Sequence, residues 1–505
     1  MTAAEQAGPG RRALLHRTSL GALALTGASA IRLMVQFAML PLLARLIGPS
    51  EYGMVALAMP FILLANVLSD GGMGYALGRQ RDVTREQEAT VFWLSGAIGF
   101  ALMLFCIAAA WPMGAILNQP RLPWLIVALS PILLMNSLTT VANGRIIRGG
   151  RFSVFAAGDL ISTFASAIAA LAAALSGWGA WSLVAQQLVL WACKLVWVSQ
   201  AGGTVVAWHY KFEEAKGLLA FGLHTIGAIL ADFVSRNLDS LIIGGVLGAT
   251  LVGYYAMGYQ IVRVPDQLIS GPFYLYIFTA IARATHDAGA RAVQDLAVAA
   301  LRIGSAALAP LFCGLALTAD LAVPLVLGDK WHGAITPLQH LAAAGFFFCM
   351  CSIMATTLMG HGKSGLRLRL SILLGVVVIS SVAATVRFGL DIVSAAVALA
   401  MGAVACTYIH VLGRDLKMSR RRLVLAFWPA AIGSAAMAAV VVGARTLLAQ
   451  APVWLEFATM VALGGLAYLC VIWLIARRQL LADAKAFAHA QADKEGAEAS
   501  KPVAA

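Results

Sequence analysis

Ten ionisable side chains stand inside long apolar runs of this chain: Arg32, Asp159, Lys194, Asp232, Arg236, Asp239, Arg263, Asp266, Arg302 and Asp320. In hydrocarbon each costs at least ~2.5 to 3.5 kcal/mol at the centre of a bilayer, so such residues mark a pathway, an ion site or a pair. A guanidinium presents a planar fork that grips two phosphate oxygens at once, which makes Arg32, Arg236 and Arg263 candidates for holding a phosphate oxygen pair. Asp232, Arg236 and Asp239 lie at i, i+4 and i+7, and Arg263 and Asp266 at i, i+3, so within each group the charges share a helical face. Asp232, Asp239 and Asp266 therefore read either as partners that neutralise the arginines or as sites for a coupling proton or sodium ion. Arg32 has no acidic residue at helical spacing, which makes it the sharpest anion candidate. Tyr255 and Tyr259, one turn apart, are candidates for stacking on a sugar. Tyr52, Tyr254, Trp178, Trp181 and Trp331 read instead as residues of an interfacial aromatic belt.

Other chemistries find no footing. The sequence has neither His-Glu-x-x-His nor Gly-x-Ser-x-Gly, and no Cys/His ligand set at zinc spacing. All seven cysteines fall in apolar runs and read as small hydrophobes; Cys349 and Cys351 point to different sides of a helix. Gly362-Lys363-Ser364 imitates the end of a phosphate-binding loop, but Thr357 stands where its leading glycine belongs and no strand precedes it. The expectation is a protein that is not an enzyme and uses no cofactor and no metal.

These side chains need helices to carry them through a membrane. Of 505 residues, 61% are hydrophobic and only 12% charged, against about 25% charged in soluble domains. Windows of roughly 20 apolar residues predict fourteen spans, the first over 20–47 and the last over 457–476. Arg11-Arg12 followed by an apolar run and Ala28-Ser29-Ala30 imitates a signal peptide, but the run continues through Leu46, so it is kept as the first span. With a cytoplasmic N-terminus, 26 of the 36 Lys and Arg residues fall in inner segments, five near the outer face and five inside spans. That asymmetry predicts a multi-pass membrane protein with both termini in the cytoplasm, and it accounts for the net charge of +13 without nucleic acid. By helical rise, Arg32 lies roughly 20 Å, Arg236 roughly 17 Å and Arg263 roughly 14 Å below the outer turns.

The halves repeat at an offset of 200: Gly27-Ala28 with Gly227-Ala228, Gly48 with Gly248, Gly53 with Gly253, and Gly71 with Gly271. Six spans separate the copies, so both run the same way across the membrane, a parallel repeat. The expected organisation is a cytoplasmic segment 1–19, a first six-helix bundle 20–200, a linker 201–216, a second six-helix bundle 217–412, helices 13 and 14 over 413–478, and a polar tail 479–505, frayed or disordered. Pro60, Pro265, Gly71-Gly72 and Gly271-Pro272 mark kinks or hinges.

The stretch Leu40-Pro41-Leu42-Leu43-Ala44-Arg45-Leu46-Ile47-Gly48-Pro49-Ser50-Glu51-Tyr52-Gly53 resembles the signature of Wzx-type polysaccharide flippases, the polysaccharide-transporter family of the MATE-like MOP superfamily. Arg145 to Asp159 and Gly360 to Arg369 resemble the inner loops of that family. The resemblance implies an all-α, MATE-like fold of two bundles, and transfer of a polyprenyl-diphosphate-linked oligosaccharide to the outer leaflet for O-antigen, exopolysaccharide or capsule synthesis. It implies partnership with glycosyltransferases, a polymerase and a chain-length regulator, and a cleft whose arginines, by position Arg32, Arg236 and Arg263, meet the diphosphate. Two alternatives compete: a MATE-like exporter of cations or drugs, which would rely on Asp232 or Asp239, and a membrane glycan polymerase or ligase, which the short outer loops disfavour.

Overall fold

A computed structural model describes the backbone of residues 9–70, 73, 77, 83–203, 210–211, 237–448 and 450–499; side chains are described within these ranges except at 9–26, 67, 69–70, 268–272, 287–288 and 488–499. Among the described residues every regular element is helical. Eleven stretches are long and apolar enough to cross a membrane, and each overlaps one of the expected spans. Of the other three expected spans, 52–78 and 217–247 include residues outside the described set, and 254–281 falls within the helix Ala249–Arg283.

The chain divides into two compact units, Met1–Gly253 and Tyr254–Ala505. The first holds α1 (Pro9–Leu46), α2 (Pro49–Asp70), α3 (Arg85–Ile116), α4 (Leu122–Leu129), α5 (Pro131–Arg148), α6 (Phe152–Leu175), α7 (Ala180–Gly202) and α8 (Asn237–Leu247). Capping chemistry fixes the ends. The Thr84 hydroxyl accepts from the Gln87 amide while the Gln87 side chain accepts from the Thr84 amide, and Glu86 and Glu88 face the positive end of the α3 dipole. Pro131, which has no amide hydrogen to donate, divides α4 from α5 within one span.

α9 (Ala249–Arg283) leads into the second unit, which continues with α10 (Gly289–Leu327), α11 (Ile335–Gly360), α12 (Ser364–Thr385), α13 (Leu390–Asp415), α14 (Trp428–Leu448) and α15 (Val453–Ala499). The internal pairing of the two units follows one pattern. In the first, α3 packs on α5, α5 on α7, and α6 on α7; in the second, α10 packs on α11, α11 on α13, and α12 on α13. These are equivalent spans of the two halves, so the repeat read from scattered glycines is a repeat of packing.

Two of those glycines do steric work. A methyl group on Gly53 would lie 1.8 Å from the Ala249 carbonyl oxygen, and one on Gly253 would lie 2.0 Å from the Pro49 carbonyl oxygen. The first turns of α2 and α9 thus cross at a reciprocal backbone contact that only glycine admits on both sides. Gly71 and Gly72 lie outside the described residues, whereas Gly271 and Pro272 continue the backbone of α9, and Pro60 and Pro265 stand inside α2 and α9.

The polar tail departs from expectation. α15 runs for 47 residues, roughly 70 Å at helical rise, more than twice the ~30 Å of a hydrocarbon core. Phe487 is 2% exposed and lies 5.5 Å from the Tyr276 ring, and Asp483 accepts from Arg302 Nη1 at 3.0 Å. The expectation of a frayed tail from 479 fails over its first turns because Phe487 has an apolar seat and Asp483 a cation. Arg302, read from sequence as a charge buried in a span, is the other half of that anchor.

Candidate functional site

Arg32 is not isolated. In the first unit α1 packs on α6 and α6 on α7, and these helices bring Arg32, Asp159 and Lys194 together. Lys194 Nζ donates to Asp159 Oδ1 at 2.9 Å, and Arg32 Nη1 lies 3.7 Å from Asp159 Oδ2. Lys194 also sits 5.3 Å from the Phe155 ring centroid and 5.5 Å from that of Trp191, so two π faces help hold its charge. Arg32 Nε is buried and has no acceptor among the described residues, although 42% of the side chain remains open. Asp159 lies roughly 10 Å along α6 from its first residue, and Lys194 roughly 12 Å from the end of α7, so the three meet at a common depth. Arg32 thus has a carboxylate beside it, although none stands at helical spacing along α1. Spacing along one helix reveals only partners on that helix, and Asp159 arrives from another.

The second unit treats Arg263 and Asp266 differently from the i, i+3 pair expected. Arg263 lies over the Tyr259 ring with its guanidinium carbon 5.1 Å from the centroid. Asp266 Oδ1 accepts from the Tyr274 hydroxyl at 3.1 Å and faces the Cys349 thiol at 3.7 Å. Neutral donors thus surround a carboxylate that shares no ion pair with Arg263. Tyr255 is fully buried, 5.6 Å from the Tyr259 ring, so in this conformation it offers no face to a sugar; Tyr259 is half-buried, with Arg263 over its ring. Asp239 is buried, and its Oδ1 accepts from the Ser240 amide at 2.8 Å. Asp232 and Arg236 lie outside the described residues. Asp320 pairs with Arg445.

Sequence reading missed two polar clusters. In the first, Arg145 donates to Glu88 Oε2 through Nε at 3.1 Å and Nη2 at 2.6 Å, while its Nη1 donates to the carbonyls of Gly202 at 3.2 Å and Gly203 at 3.1 Å. Arg148 reaches the other Glu88 oxygen at 3.2 Å. One buried carboxylate thereby ties the start of α3 to the ends of α5 and α7. In the second, Glu51 accepts from Arg121 at 2.7 Å and caps α7 by accepting from the Ala180 amide at 3.0 Å. Gly179, at φ +54°, leaves room for that carboxylate, since a methyl group there would lie 2.9 Å from Glu51 Oε2. The signal for both was a charged residue in the first turn of an apolar helix, which dipole arguments alone explain too easily.

Among the described residues no group of three His, Cys, Asp or Glu side chains is placed to hold a metal ion. In the first unit two cations face one carboxylate, a set whose chemistry suits an anion, and in the second Asp266 is held by neutral donors.

Comparison with known proteins fits this architecture. The succinoglycan biosynthesis transport protein ExoT of Rhizobium meliloti is 25% identical over 329 residues, 65% of this chain and 66% of that protein; the aligned region thus spans just under two thirds of the relative. Among solved structures, the lipid II flippase MurJ in an inward closed conformation aligns over 91% of this chain and all of its own, with a TM-score of 0.74 at 12% identity. An inward-facing multidrug resistance MATE transporter of the MOP superfamily aligns over 76% of this chain and 94% of its own, with a TM-score of 0.61 at 15% identity. The fold is therefore the two-unit, all-helical fold of these transporters, as the resemblance implied. The family of polysaccharide biosynthesis proteins matches residues 42–336, more than half of the sequence, and the chain belongs to that family.

Proposed function

We propose that the protein is a flippase that carries polyprenyl-diphosphate-linked oligosaccharide from the cytoplasmic to the outer leaflet by alternating access, supplying the repeat units from which a surface polysaccharide is built. The observation that carries this reading is the Arg32, Asp159 and Lys194 cluster, where two cations share one carboxylate within the membrane. A net positive site at that depth suits an anion, and a diphosphate is the anion that every lipid-linked glycan shares. Membership of a polysaccharide biosynthesis family and likeness to a succinoglycan transport protein support the class of substrate. The fold of a lipid II flippase supports the class of movement.

In this reading the protein lies in the bacterial cytoplasmic membrane with both termini in the cytoplasm. Arg32 contacts the diphosphate, with Arg263 and Arg236 as further cations along the path, and Tyr259 contacts the sugar. Glycosyltransferases supply the substrate; a polymerase and its chain-length regulator consume it. An inside-negative potential assists outward movement of negative charge by ~2.3 kcal/mol per charge per 100 mV, and a proton or sodium gradient resets the carrier through Asp266 or Asp239. The protein performs no covalent chemistry.

The test is outer-leaflet exposure of a fluorescent polyprenyl-diphosphate oligosaccharide in proteoliposomes. Arg32→Ala is expected to slow flipping by roughly tenfold or more, the scale of one charge-assisted contact of 1.5–3 kcal/mol. Flipping at the wild-type rate by Arg32→Ala removes the cluster from the path. Export of a lipophilic cation with no flipping of the lipid replaces the proposal with the exporter.

A further inference from the structure

The two ion pairs of Asp159 are unequal. The contact with Lys194 is a hydrogen bond at 2.9 Å, whereas that with Arg32, at 3.7 Å, is too long to be one. A guanidinium fork is built to meet two oxygens, yet the Arg32 fork has one distant oxygen, and its buried Nε has none. Lys194 has less need of the carboxylate than a bare ammonium would, because Phe155 and Trp191 face it. Among the described residues the cluster therefore has one charge too few on the acidic side and at least one N–H with nothing to bond. It is the geometry of an anion site in which a carboxylate occupies part of the place of the anion.

We propose that Asp159 is a resident counterion that competes with the transported diphosphate for Arg32 and Lys194, and so sets how readily the substrate leaves. This rests on the flippase reading above. In the empty carrier Asp159 holds both cations in the membrane at tolerable cost. An arriving diphosphate takes the fork of Arg32, including the unfilled Nε, and then shares Lys194. The bound state now holds the diphosphate charge and the Asp159 carboxylate against the same two cations, so negative charge is in excess and release is favoured. A carrier needs this balance: the site must be attractive enough to enter and weak enough to leave, as in ion-conducting sites. Two cations without the carboxylate would trap the anion.

The assignment makes Asp159 a positioning residue and Lys194 a second substrate contact, and it predicts effects of opposite sign. In nanodiscs, with polyprenyl diphosphate lacking any sugar as the probe, Asp159→Asn is expected to bind roughly five- to tenfold more tightly than the wild-type chain, the scale of one partly exposed ion pair. The same variant is expected to flip more slowly at saturating lipid. Lys194→Gln is expected to bind more weakly. A purely structural ion pair predicts otherwise: Asp159→Asn would lower thermal stability and weaken or leave unchanged both binding and flipping. Tighter binding with slower flipping supports the proposal, and unchanged or weaker binding by a folded Asp159→Asn protein overturns it. Should that variant fail to fold, the charge-balanced Asp159→Asn/Lys194→Gln protein replaces it. Tighter binding by the double variant than by Lys194→Gln alone supports the proposal, and equal affinity overturns it. Failure of the wild-type chain to bind the probe overturns the flippase reading and this assignment together, whereas wild-type binding unmoved by the loss of Asp159 overturns this assignment alone.

Discussion

Arg32 and Asp266 show what a sequence can and cannot reveal about single residues. That Arg32 matters was legible, because an arginine with no acid at i±3 or i±4 inside an apolar run must find its compensation elsewhere. Where it finds it was not legible, since 127 residues separate it from Asp159 and only tertiary packing brings α1 to α6. Asp266 is the converse case. Its spacing from Arg263 predicted an intrahelical pair, but Tyr274 and Cys349 compete for the carboxylate and an aromatic face competes for the guanidinium. A carboxylate held by neutral donors can exchange a proton or sodium ion without breaking an ion pair. Asp266→Asn is accordingly expected to bind polyprenyl diphosphate as the wild-type chain does, while losing any acceleration of flipping by an imposed proton or sodium gradient. Gradient-dependent flipping that survives the substitution would free Asp266 from that role.

Helices were the most legible elements, and their ends the least. Eleven expected spans have counterparts long and apolar enough to cross a membrane, because apolar length is read directly from composition. The anchorage that Glu88 gives the first unit escaped notice because Arg145 and Arg148 read equally well as topogenic charges. Glu88 is only 7% exposed at its side chain and holds both. Glu88→Ala leaves two guanidinium groups and two terminal carbonyls of α7 without their shared centre. Loss of one partner from a buried pair costs about 3–5 kcal/mol, so this variant is expected to melt well below the wild-type protein in detergent, whereas Asp295→Ala, which leaves only the exposed Arg422 without its partner, is expected to change the melting temperature little. A melting temperature for Glu88→Ala equal to that of Asp295→Ala would show that the cluster contributes only screened surface charge. At the far end of the chain, Phe487 shows the same limit of prediction: one aromatic in an Ala-rich polar stretch gives no periodic signal, yet it anchors the extension of α15.

For the whole molecule, the repeat was visible as a few glycine coincidences and becomes persuasive through packing. Equivalent spans pair alike in each unit, and Gly53 and Gly253 meet at a crossing that accommodates neither side chain. Orientation rests on the charge count, which concerns the whole chain and no single helix. Single cysteines at Gln119 and Lys330, introduced where Cys406 and Cys470 have been replaced, are expected to react with a membrane-impermeant maleimide in intact cells. Cysteines at Ser364 and Lys417 are expected to react only after permeabilisation. The reverse pattern would invert the molecule and with it the direction of transport.

Arg145 adds a constraint on how such a protein is made. Its donors are divided between a carboxylate that begins α3 and carbonyls that end α7, so the knot that joins them cannot close until some 115 residues have left the ribosome after Glu88. The pairs of Glu88 with Arg145 and Arg148 can form once some 60 residues beyond Glu88 have emerged, and the carbonyl bonds of Arg145 are added only when the end of α7 arrives. The order of synthesis thus fixes the order in which one guanidinium acquires its partners.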